Sequence, residues 1–111
     1  MDPVAPSPRL VELAHAHGVA TEYWDWQGRH VTVSEAAIVA VLTALGVDSD
    51  GADAVEAALV DVEIDPWRRT LPATVVCRTG WTPWVFAHVP AGSGIRLVIH
   101  LEDGTVRDVR Q

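Results

Sequence analysis

The chain has 111 residues, enough for one ordinary domain or two small cores. Eight basic against fifteen acidic side chains give a formal net charge of −7, and an acidic balance argues against nucleic acid or an anionic membrane surface as partner. Every basic residue is Arg and none is Lys, which excludes a phosphate-loop Lys, a Schiff-base Lys and a Ser-x-x-Lys nucleophile pair.

The spacing predicts a first helix over 8–17. Ser7 stands where an N-cap belongs, and Pro8 suits the first helical position because its missing N–H has no partner to lose. Leu10, Leu13, Ala14 and His17 form one stripe, and Gly18 stops the helix. In the stretch that follows, Gln27-Gly28 reads as a turn between two extended pieces. Ser34 then caps a second helix with Glu35 in its first turn; Ile38, Val41, Leu42 and Leu45 give its apolar stripe, and Gly46 its end. A third helix is built on Val55, Ala58, Leu59 and Val62, with Ser49 or Asp50 as cap.

Beyond Pro66 the period falls to two. Pro66 and Pro72 bracket a connector, after which Val75, Cys77 and Thr79, then Val85, Ala87 and Val89, alternate as strands. Ile95 to Leu101 forms a further strand, and Asp103-Gly104 signals a hairpin. A two-residue loop there would set Leu101 opposite Val106 but Ile99 opposite Asp108, so a bulge or an edge position is expected. The fold class expected is α+β: a helical subdomain of two to three helices over 1–65, then an antiparallel β-sheet over 66–111 as part of a β-sandwich. The pattern runs unfinished into Gln111, so the sheet is expected to expose an edge through which the chain could dimerise.

With 49% hydrophobic residues the chain should fold. Cys77 is the single cysteine, so no intramolecular disulfide, cysteine zinc site or redox pair can form. The N-terminus lacks the pattern of a secretory signal, and the longest apolar run, Ala36 to Leu42, is far short of the ~20 residues that span a bilayer, so a cytoplasmic location is expected.

Candidate chemistry is sparse. His15 and His17 lie about 200° apart around a helix and cannot ligate one metal from one face. Counting a calcium loop from Asp61 puts Pro66 and Pro72 where Gly and Glu are required. Gly92-Ser93-Gly94 is neither a nucleophile elbow nor a dinucleotide loop. No catalytic, cofactor or metal residue is assigned. Glu22 and Asp25 flank Tyr23, Trp24 and Trp26 in the manner of an acid pair beside stacking rings, but no pocket is foreseen around them. The five tryptophans stand out. Trp81 and Trp84, flanking a turn at Thr82-Pro83, are the candidates for stacking on α-glucan rings; packing is the commoner role of an indole and the competing reading for both, and Trp24 and Trp67 read still more as packing anchors.

The segment from Leu13 to Val47 resembles the start of bacterial 4-α-glucanotransferases, the amylomaltases. The matching positions are Leu13, Gly18, Val19, Tyr23, Gly28, Val33, Ser34, Glu35, Leu42, Leu45 and Gly46. Pro66-Trp67-Arg68-Arg69 and the run from Leu71 to Val76 resemble that family's entry into a β-sandwich, most closely in actinobacterial members. The resemblance implies an enzyme that transfers α-1,4-glucan segments through a glycosyl-enzyme formed on a (β/α)₈ barrel. That barrel, with its carboxylates, is absent from this chain. The chain is thus expected to be a non-catalytic N-terminal domain whose partner is the barrel of its own parent. Two alternatives are a stand-alone α-glucan-binding module using Trp81 and Trp84, and a helical protein-interaction module.

Overall fold

The computed structural model describes residues 3–110. The elements run α1 (Pro8–Ala16), β1 (Glu22–Trp24), β2 (His30–Thr32), α2 (Glu35–Ala44), α3 (Ala52–Arg68), β3 (Arg96–His100) and β4 (Val106–Arg110). This is an α+β arrangement with two separate antiparallel hairpins. The chain divides into two units, Met1–Pro66 and Trp67–Gln111.

In the first unit the caps do what the residue types require. The Ser7 hydroxyl accepts from Leu10 N–H at 3.3 Å, and the Ser34 hydroxyl accepts from Ala37 N–H at 3.3 Å. Both helices close with the same motif. Val19 N–H donates to Ala14 C=O and Gly18 N–H to His15 C=O; Val47 N–H donates to Leu42 C=O and Gly46 N–H to Thr43 C=O. Each motif returns a valine, Val19 or Val47, to the core it has just left. That core is Leu10, Leu13, Ala14, Ile38, Leu42, Val55 and Leu59.

The stripe expected on α2 is buried over only half its width. Ile38 and Leu42 are fully enclosed, whereas Val41 and Leu45 stay exposed. The third helix also departs from expectation at both ends. Val55 N–H is taken by the Gly51 carbonyl, so neither Ser49 nor Asp50 is the cap. Asp50 N–H instead donates to Asp48 Oδ1, and the Ser49 hydroxyl is buried without a partner among the described residues. At the other end α3 runs through Pro66 to Arg68. A proline in the last turn forfeits one intrahelical hydrogen bond without forcing a stop.

In the second unit the described strands are β3 and β4 alone. The segments 75–79 and 85–89, expected as strands, enter no ladder and show no alternation of burial, and Pro72, Pro83 and Pro90 remove three backbone donors from the run. The β3–β4 register differs by one residue from that of a two-residue loop: Ile99 faces Arg107, Val98 faces Asp108, and His100 faces Val106. The cause is a three-residue loop. Gly104 N–H donates to Leu101 C=O at 3.0 Å, Leu101 N–H donates to Thr105 C=O at 2.9 Å, and Gly104 has φ +83°. This is a type I turn closed by a bulge at glycine. The β1–β2 loop repeats it: Gly28 N–H to Asp25 C=O and Asp25 N–H to Arg29 C=O, both 2.9 Å, with Gly28 at φ +75°.

Candidate functional site

Trp81 and Trp84 lie in the irregular part of the second unit, 70% and 83% exposed. The turn near them closes at 78–81, where Trp81 N–H donates to Arg78 C=O, and not at Thr82-Pro83. The Arg78 guanidinium carbon stands 5.8 Å from the Trp81 ring centroid, a cation–π contact on one face of the indole. Among the described residues no ring contact joins Trp81 to Trp84.

The expected packing anchors are little covered within this chain. Trp24 and Trp67 are both more than two-thirds exposed. Trp67 meets the His88 ring at 4.4 Å, tilted by 56°, and His88 N–H donates to Thr70 C=O, so these three residues tie the start of the second unit together. Trp24 sits opposite His30 on the β1–β2 hairpin, with ring centroids 5.2 Å apart. His30 Nε2 lies 3.1 Å from Glu22 Oε2. The sequence carries the signal for this grouping: Glu22 and Trp24 are two apart, and a turn at Gln27-Gly28 folds His30 back onto them.

The acid pair does not assemble as catalytic chemistry requires. Asp25 Oδ1 accepts the N–H groups of Gln27 and Arg29, and its Oδ2 accepts from Arg29 Nε, each at 2.9 Å. These bonds, led by the Arg29 backbone N–H, hold the Asp25 carboxyl below its ordinary range. It is a loop staple fixed as the anion, and nothing about it suits a proton donor. The remaining histidines are dispersed: His15 Nε2 is 2.9 Å from the hydroxyl of buried Thr21. Among the described residues no group of three or more His, Cys, Asp or Glu is placed to hold a metal. Cys77 is free and exposed. Among the described residues no helix is long and apolar enough to cross a membrane.

A helical unit with one small hairpin, followed by a second unit that carries another, defines an α+β protein. Residues 70–111 match the MalQ N-terminal beta sandwich domain. Over 101 residues the chain is 46% identical to the 4-alpha-glucanotransferases of Mycobacterium bovis and Mycobacterium tuberculosis, a span covering 91% of this chain and 14% of theirs. It also superposes on the crystal structure of amylomaltase from Corynebacterium glutamicum with a TM-score of 0.74 and 40% identity, covering 90% of this chain and 15% of that one. The chain is therefore similar along most of its length to a segment of 4-alpha-glucanotransferases, and in residues 70–111 to the MalQ N-terminal beta sandwich domain; it spans about 14% of the length of the curated relatives it matches.

Proposed function

We propose that this chain serves as the non-catalytic N-terminal part of an enzyme that transfers α-1,4-glucan segments, with the catalytic barrel of that enzyme as its principal partner. The observation that carries this is the contrast in coverage: 46% identity runs along 91% of this chain but touches only 14% of each relative. The helical head and sheet then act mechanically, covering barrel surface and bordering the path of a long glucan. The many exposed apolar side chains, among them Val41, Leu45, Val60 and Ile64, are consistent with surface that a larger protein would cover. A free exposed thiol suits the reducing cytoplasm, where we place the protein.

Trp81 and Trp84 are proposed as residues that touch the glucan within this role, their indoles being open to solvent. Amylose in a native gel should retard the chain, and Trp81→Ala with Trp84→Ala should reduce the retardation. The main reading is tested with maltotriose. The isolated chain should release no glucose, and release above background would overturn it.

A further inference from the structure

The β1–β2 hairpin carries a surface that this role does not use. Pairing sets Glu22 opposite Thr32 and Trp24 opposite His30, so these four side chains share one face, while Tyr23 and Val31 take the other. All four are exposed, and the Trp24 indole is 71% open. Beside it stand the His30 ring at 5.2 Å and, bonded to that ring at 3.1 Å, the Glu22 carboxylate. The loop behind them is fixed by the three bonds to Asp25 and the two backbone bonds of the bulged turn. The platform is therefore ordered before any ligand arrives.

We propose that this face is a carbohydrate site, in which the Trp24 indole stacks on the C–H face of a pyranose of a neutral α-1,4-glucan. The Glu22 carboxylate accepts from hydroxyls at the edge of that ring, and the His30 imidazole exchanges hydrogen bonds with them. Three observations choose this occupant. An apolar protein surface would be met by an apolar face, whereas the face that carries the indole also carries Glu22, His30 and Thr32. A cationic ligand would call for a cage of several aromatic rings, and here a single tilted imidazole accompanies the indole. A polyanion is opposed by the net charge of −7. A neutral polyhydroxylated ring needs what remains: one flat apolar surface beside donors and acceptors.

The glucan class rests on the proposed function; the site itself rests on the hairpin. The ¹⁵N-labelled chain is titrated with maltoheptaose, with cellohexaose as the comparison sugar. The Trp24 indole N–H and the amides of 22–24 and 30–32 should shift saturably with maltoheptaose. In Trp24→Ala the shifts at 30–32 should demand roughly tenfold more sugar, while unmoved α1 and α2 amides report an intact fold. Trp24→Tyr, which keeps a ring, should bind nearly as the parent does. Absence of saturable shifts in the parent chain overturns the proposal. So do undiminished shifts in Trp24→Ala, and a response to cellohexaose alone. Glucose release from maltotriose is unaffected by any of these results, so the site and the non-catalytic role can fail separately.

Discussion

Arg9 on α1 holds Glu56 on α3 with two prongs of its guanidinium, Nε at 2.7 Å from Oε1 and Nη2 at 2.6 Å from Oε2, across 47 residues of chain. Its third nitrogen, Nη1, reaches Glu12 Oε2 one helical turn away. The planar fork matches the carboxylate, which Lys could not do. The hydrogen bond from Arg9, aided by its charge and against partial desolvation, pulls the Glu56 carboxyl below its ordinary range; Glu56 in turn raises Arg9 further above its already high value.

A depressed folded-state value has a definite sign. Glu56 contributes stability that is fully present above the unfolded carboxylate range, near pH 4.3, and is lost as pH falls through the folded value. Glu56→Gln should therefore melt below the parent chain at pH 7, and the gap should close as the pH falls through the depressed folded value and the parent carboxylate is protonated too. Melting curves of both chains across that range check it. A gap independent of pH would show that Glu56 acts by packing alone.

The first unit's core is small enough that one side chain matters to all of it. Leu42 is fully enclosed and shares its cluster with Leu10, Leu13 and Ile38. Leu42→Ala should cost about 2–5 kcal/mol, the lost transfer energy plus the cavity. That is a large fraction of what a unit of this size can hold. Urea unfolding followed by helical circular dichroism measures it. By contrast Leu45→Ala, on the exposed half of the same stripe, should change little.

Ser49 makes the opposite case. Its hydroxyl is buried with no partner among the described residues, because the turn before α3 gives Asp50 N–H to Asp48 and the first helical bond to Gly51. An unmet buried hydroxyl costs about 1–3 kcal/mol, so Ser49→Ala should raise stability by roughly 1 kcal/mol. Chemical denaturation of that variant settles the sign. A loss would mean that the hydroxyl is satisfied in solution.

What the sequence tells in advance is what short-range chemistry decides. Ser7, Ser34, Gly18 and Gly46 mark four helix ends because caps are satisfied within a few residues. The β1–β2 hairpin is legible from Gln27-Gly28 for the same reason. Exposure is not local. Trp24 and Trp67 look like anchors because indoles usually bury, but whether one does depends on what the rest of the fold brings against it. The strands expected at 75–79 and 85–89 illustrate this again, since alternation sets two faces but cannot supply a neighbouring strand. Of the candidate site, Trp81 and Trp84 are exposed, with Arg78 over one face of the Trp81 ring, whereas Glu22, Trp24 and His30 become a group only once the hairpin register is known.

The two hairpin loops offer a matched pair of tests. Gly28 at φ +75° and Gly104 at φ +83° occupy equivalent bulge positions, and an added Cβ would meet no atom within 4 Å at either. The cost of Gly28→Ala is then the left-handed backbone alone, about 1–2 kcal/mol. Gly28→Asn should recover part of it, because Asn tolerates that region. Unfolding of the three chains side by side gives the order expected: Gly, then Asn, then Ala. Equal losses for Asn and Ala would place the cost elsewhere.

The β3–β4 hairpin leads to the last expectation. Among the described residues each strand has one neighbour, so each leaves an outer row of N–H and C=O groups without a ladder. Two isolated strands are marginal in water, and the remedy open to the chain is to add a second copy edge to edge. The register sets Leu97, Ile99 and Val109 on one face beside Arg107, while Arg96 bonds Asp108 on the other, so a paired copy would extend a mainly apolar row on one side and a more charged one on the other. Sedimentation velocity from low micromolar to millimolar concentration should show a reversible shift toward dimer. Ile99→Lys, which sets a second positive charge opposite Arg107 on that face, should move the equilibrium back to monomer. A chain that stays monomeric throughout would mean that the charges of Arg107, Asp108 and Arg110 already guard the edge.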